Sequence, residues 1–189
     1  FFLQYGLARK DLRKMPPSDD FFKLQAEVMA KRLHCTPEKA QNKLDKIVYE
    51  GLKKYYKNVK PCENVTDLIE KLKTAGFKIA ILSDFPPDQK GEIWGIKQKC
   101  DVVLGTEETG ALKPSDIPFR VLAERLNVPL EEVFYIGNNH KYDIEGPKKL
   151  GMKAGWFSTK RKCRRNKKSK IADFSFWHYK QLEEYIFNK

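Results

Sequence analysis

Apolar positions change their spacing once along the chain, near Pro61. Ahead of it they recur at helical intervals: Phe22, Ala26, Met29, Ala30 and Leu33 lie three or four apart, the spacing of one helix face. Ser18 stands just before them, which predicts an N-cap for a helix over 19–33, with Asp19 and Asp20 at its positive end. Thr36-Pro37-Glu38 predicts a second helix start: a capping hydroxyl, a proline in the first turn, then an acid. That helix is expected to reach Tyr56, with Leu44, Ile47, Val48, Gly51, Leu52 and Tyr55 on one face. A short basic amphipathic piece over 7–15 precedes Pro16-Pro17. Residues 1–60 are therefore expected to be all-helical.

Beyond Pro61, short apolar runs alternate with helical patterns. Helices are expected over 65–75, ending at Gly76, over 88–98, from Pro114 to Leu126, and over 179–187. Strands are expected over 77–82, 102–104, 133–136 and 154–157. This alternation predicts an α/β fold with a parallel, Rossmann-like sheet covered on both faces.

The stretch 133–155 joins a strand to a helix through Gly137, Asn138, Asn139 and Asp143, and Gly151 is placed to end the helix. Oxygen-bearing side chains at the carboxyl end of a parallel strand sit where such sheets bind ligands. The same residues would also serve simply as turn and cap residues. Ser83 ends the strand over 77–82 and is followed by Asp84, and its hydroxyl is suited to a phosphate oxygen. Lys113 stands immediately before Pro114, where an ammonium can act as a point charge on an anion.

A strand ending in Ser83, a Lys113-Pro114 pair opening a helix, and a strand-Gly-Asn-Asn-x-x-x-Asp-x-x-Gly run ending in Leu150-Gly151-Met152 together resemble the haloacid dehalogenase-like hydrolase superfamily over residues 61–157. The pattern Pro61, Val65, Leu68, Ile69, Leu72, Lys73, Gly76 is similar to the helix that precedes the second motif of that family. The resemblance implies a phosphatase acting on a small phosphorylated metabolite through an aspartyl-phosphate. Ser83 and Lys113 would be its catalytic residues, Ser83, Asp84 and Lys113 would bind substrate, and Asn138 and Asp143 would hold Mg²⁺. Residues 1–60 would form the helical cap over an α/β core spanning 61–189.

Two departures qualify those expectations. The Asp-x-Asp that supplies the family's nucleophile and general acid follows no apolar run in this chain, so the catalytic strand is expected upstream of Phe1. Asn138 offers an oxygen without charge where the family has an aspartate, which implies weaker metal binding. A metal-independent 2-haloacid dehalogenase-type hydrolase and a degenerate, non-catalytic binding member are the alternatives.

Composition adds little except at one loop. The net charge is +12, but residues 160–170 carry eight basic side chains and no acid, and without these eight it falls to +4. That run would focus anionic substrates towards the cleft, or contact nucleic acid with Trp156, Phe157, Phe174, Phe176 and Trp177 beside it; a solvated loop with those aromatics in the core is the expected case. No apolar run approaches the ~20 residues that span a bilayer. Four widely separated cysteines, Cys35, Cys62, Cys100 and Cys163, suit reduced thiols and a cytoplasmic location.

Overall fold

The computed structural model describes residues 1–161 and 169–188. Its first part contains helices only. α1 (Phe2–Leu12) and α2 (Phe21–Leu33) pack together over a core that includes Ala8, Leu12 and Met29. α2 starts later than Ser18 suggested. Asp20 is the cap and accepts the Lys23 N–H at 3.0 Å, while the Ser18 hydroxyl accepts the Asp20 N–H. The charged acceptor takes the helix end because it makes the stronger bond.

α3 (Pro37–Lys43) is capped by Thr36 and runs through a π-helical turn, Leu44–Tyr49, into α4 (Glu50–Tyr56). Leu44 and Val48 are fully buried, but Tyr55 is 65% exposed and Tyr49 packs against the helical core instead. The wider turn holds an extra residue, which rotates the face that follows and corrects the expected position of Tyr55.

All strands are parallel. β1 (Ala80–Ser83) pairs with β2 (Val102–Gly105), with Ser83 opposite Gly105. β3 (Phe134–Gly137), β4 (Lys153–Phe157) and β5 (Phe174–Phe176) pair in that order. Among the described residues no ladder joins β1 to β3. Side chains join them instead. On one face Leu82 of β1 packs with Tyr135 of β3 beneath Phe119 of α6 (Ile117–Leu126). On the other, Ile79 packs with Phe134 and Ile136 beneath α5 (Val65–Thr74) and α7 (Tyr179–Phe187). Tyr135 faces one way and its two neighbours the other, as the pleat requires.

Three expectations change. No continuous helix forms over 88–98: 3₁₀ turns Pro87–Lys90 and Lys97–Lys99 flank a stretch where Ile93, Trp94 and Gly95 are left-handed. Gly91 and Gly95 weaken a helix there by about 1 kcal/mol each, and Ile96 is the buried apolar anchor between the two turns. The strand over 77–82 begins only at Ala80, with Phe77 48% exposed. β5 was not expected, and its three residues are too few to show a pattern.

Of the basic run 160–170, residues 162–168 lie outside the described residues. The aromatics beside it are packed: Phe176 is fully buried, Phe174 stacks on Tyr185 at 4.2 Å, and Phe157 lies 5.2 Å from Tyr179. Cys35, Cys62 and Cys100 are free thiols. Among the described residues no helix is long and apolar enough to cross a membrane.

An aspartate clips each strand group at the end away from the candidate site. Asp101 donates its N–H to the Ile79 carbonyl and accepts the Ile79 N–H on its carboxylate, both at 2.7 Å. Asp173 does the same with Ala154, at 2.9 and 2.7 Å. The Ile79 N–H and Lys73 hold Asp101 below the ordinary carboxylate range. For Asp173, partial burial pushes upward, but the Ala154 N–H and Lys148 outweigh it. Stability from a depressed carboxyl is present above its unfolded value and is lost as pH falls through the folded one. Asp101→Asn and Asp173→Asn should each lower stability in urea at pH 7 by about 1 kcal/mol. Their difference from the parent should shrink once pH drops below about 4; a difference unchanged by acid would contradict this role.

Candidate functional site

β1 ends in Ser83 and β3 in Gly137, each at the carboxyl end of its parallel strand group. Ser83 is buried, and its Oγ accepts the Phe85 N–H at 3.2 Å, which turns the chain off the strand. Asp84 follows, half-buried, accepting from Thr106 Oγ1 at 3.1 Å and from Arg13 at 2.7 Å. Lys113 lies between β2 and α6, 8% exposed, with a cis peptide to Pro114. Its Nζ donates to Asp143 Oδ1 at 2.7 Å and to the Tyr135 hydroxyl at 3.0 Å.

Asp143 sits on a π-helical turn, His140–Glu145, and its other oxygen accepts the Asn139 N–H at 2.9 Å. Gly137 makes this possible, because a Cβ there would overlap the Asp143 side chain. Burial opposes the charge on Lys113, but Tyr135, Asp143 and Asp84 outweigh it and raise its pKa well above the ordinary lysine value. Burial pushes the Tyr135 hydroxyl up to about 12, against the pull of Lys113.

The structure thus brings Lys113 and Asp143 into contact and sets Ser83 and Asp84 on the same edge. Asn138 is exposed, and its backbone carbonyl accepts from the Trp156 indole at 3.2 Å. Asn139 is a cap, accepting the Tyr142 N–H at 3.1 Å. Among the described residues no group of three or more His, Cys, Asp or Glu side chains is placed to hold a metal ion. Each Asp143 oxygen accepts one hydrogen bond and keeps a further lone pair, so a Mg²⁺ ion there would share the carboxylate with the Lys113 ammonium and would bind weakly.

A second set of residues was not legible from motifs. Arg9 of α1 is 5% exposed and Glu107, just after β2, 1% exposed, and they form an ion pair. Arg9 also donates to Gln25 Oε1 at 2.9 Å and to the Asp84 backbone carbonyl. Gln25 donates to the Tyr49 hydroxyl at 2.6 Å, and that hydroxyl reaches Glu107 at 3.3 Å. Arg13, one turn on, donates to the Lys113 carbonyl at 2.9 Å and lies 4.4 Å from the Tyr142 ring centroid. Burial pushes Glu107 above the ordinary carboxylate range even with Arg9 opposing it. The available signal was Arg9 and Arg13 four apart, with acids in the Gly-Thr-Glu-Glu-Thr-Gly run after a strand.

This seam ties the helical segment to the strand edge. Removing one partner of a buried ion pair leaves an uncompensated charge and costs about 3–5 kcal/mol. Arg9→Met and Glu107→Leu should each destabilise by that amount in urea denaturation, and the double variant should recover most of the loss. Single variants within about 1 kcal/mol of the parent would show that the pair is not carrying the seam.

Comparison with known proteins places this geometry. The haloacid dehalogenase-like hydrolase family model matches residues 3–157. The chain is 27% identical over 155 residues to pyrophosphatase PpaX of Halalkalibacterium halodurans, covering 79% of this chain and 66% of that protein. It is 30% identical over 129 residues to glyceraldehyde 3-phosphate phosphatase of Methanopyrus kandleri, covering 67% of this chain and 54% of that protein. The matches thus span between half and two thirds of these relatives' length. The fold matches 2-haloacid dehalogenase from Pseudomonas syringae pv. Tomato DC3000 with a TM-score of 0.68 at 19% identity, over 98% of this chain and 80% of that one. With Ser83, Lys113 and Asp143 at one strand edge and a family match over most of its length, the chain belongs to the haloacid dehalogenase-like hydrolases.

Proposed function

We propose that the protein is a phosphatase of small phosphorylated metabolites, working through an aspartyl-phosphate. The observation that carries this reading is the buried Lys113 ammonium, held protonated by Asp143 and Tyr135 on the edge where β1 ends in Ser83. A fixed cation and a hydroxyl at such an edge suit the equatorial oxygens of a transferring phosphoryl group. The two relatives described above, by name a pyrophosphatase and a glyceraldehyde 3-phosphate phosphatase, support the same class.

In this reading the attacking carboxylate comes from a segment outside these 189 residues and enters between β1 and β3, which share no ladder. Its oxygen bonds to phosphorus as the ester oxygen leaves, and water then releases phosphate. Lys113 and Ser83 hold the phosphoryl oxygens, and Asp84 orients Arg13 at the cleft. Mg²⁺ would add charge stabilisation when bound, with Asp143 and Asn138 as this chain's ligands once Lys113 turns to substrate. With a single carboxylate in that pair, its binding is weak.

A metal-independent dehalogenase-type reaction is the second reading. It is favoured by uncharged Asn138 and by the Lys113 contact that occupies Asp143. The test is phosphate release from an aryl phosphate by the full-length protein, with chloride release from 2-chloropropionate measured alongside. Phosphate release stimulated by Mg²⁺ is expected, and Lys113→Met should lower kcat by about 10²–10³. Chelator-insensitive chloride release would favour the second reading, and neither activity would leave a binding role.

A further inference from the structure

Arg13 caps the carboxyl end of α1, and its guanidinium fans out from there. Nη1 donates to the Arg9 carbonyl at 3.1 Å, which folds the side chain back onto its own helix. Nε donates to the Lys113 carbonyl at 2.9 Å and Nη2 to Asp84 Oδ2 at 2.7 Å. The guanidinium also lies over the Tyr142 ring, 4.4 Å from its centroid. The Arg13 side chain is 15% exposed, so these contacts cover most of it.

The three contacts beyond α1 each reach a segment that carries a site residue. Asp84 follows Ser83 at the end of β1. Lys113 is itself a site residue, ahead of α6. Tyr142 precedes Asp143 on the π-helical turn after β3. A planar fork of N–H donors with a stacking face can serve a carboxylate, a carbonyl and a ring together, whereas a lysine ammonium is a point charge on a flexible stem. The two ends of the bridge are held independently. Thr106 donates to the other Asp84 oxygen, and the Arg9–Glu107 pair pins α1 one turn earlier.

We propose that Arg13 is a positioning residue: from the helical segment it sets the spacing of Ser83, Lys113 and Asp143, by the shape of its guanidinium and not by its charge alone. It acts through the Lys113 backbone and through Asp84 and Tyr142, the chain neighbours of Ser83 and Asp143, without touching substrate. That the spaced residues serve catalysis rests on the phosphatase reading above; the bridge itself does not.

Arg13→Lys and Arg13→Gln in the full-length protein separate shape from charge. In aryl phosphate hydrolysis both should lower kcat by about 10²-fold, the scale of a catalytic group displaced by about 1 Å, with KM within about threefold of the parent. Amide spectra of the same variants should show joint shifts at 84–85, 113 and 141–143, with the signals of α6 and β4 unmoved. Arg13→Lys at the parent's kcat overturns the proposal, because charge then suffices. A KM that rises to account for the whole loss in kcat/KM overturns it too, because Arg13 then binds substrate. Tyr142→Leu leaves α1 intact and decides the matter if the Arg13 variants do not fold: it should move the Arg13 Nε–H and Lys113 amide signals, and neither moving overturns the bridge. If the parent releases no phosphate, the phosphatase reading falls alone and the spectra judge the bridge: joint shifts in the three segments support it, and shifts confined to α1 overturn it.

Discussion

The buried ion pair between Arg9 and Glu107 is the constraint on which the cleft depends. It joins the first helix to the loop after β2, and through the Asp84 carbonyl it reaches the end of β1. Two charges taken out of water are tolerated only when every remaining donor and acceptor is occupied. Gln25 and Tyr49 complete that shell from two further helical turns. The helical segment is therefore held by polar contacts of fixed geometry, which set where Arg13 and Tyr142 stand relative to Lys113. Apolar contact contributes through Leu112, which is buried in the core of the helical segment itself.

The two strand groups meet without a shared ladder, and side-chain packing carries the continuity. Leu82 with Tyr135 on one face and Ile79 with Phe134 on the other hold β1 and β3 in the same orientation. Their carboxyl ends consequently open on one edge, and that edge carries Ser83, Lys113 and Asp143. The Asp101 and Asp173 clips fix the opposite ends, so strand position is set at one edge and chemistry at the other.

Much of this was legible in the sequence because it rests on local rules. The Thr36 cap, the apolar face of α6 and the short β-branched and aromatic runs follow from spacing alone. Gly137, at the strand-to-helix junction, lies where a Cβ would overlap the Asp143 side chain. What escaped depends on non-local pairing. Asp20 and Ser18 are both competent caps, and the choice between them was made by charge. A π-helical turn leaves no compositional mark, so Tyr55 was placed on the wrong face. The seam joins residues 98 positions apart in sequence, and the four-residue spacing of Arg9 and Arg13 does not name Glu107 as a partner. The bond from the Trp156 indole to the Asn138 backbone carbonyl likewise joins positions 18 apart and belongs to no motif.

The central claim is that anionic substrate binds at the edge formed by β1 and β3. The most direct test is amide chemical-shift mapping of the protein during titration with inorganic phosphate. The account predicts that perturbed signals cluster at residues 83–85, at Lys113 and at 139–143, with further changes at Arg13. Shifts confined to α5 and α7, or to the basic run 160–170, with Ser83 and Lys113 unmoved, would contradict it.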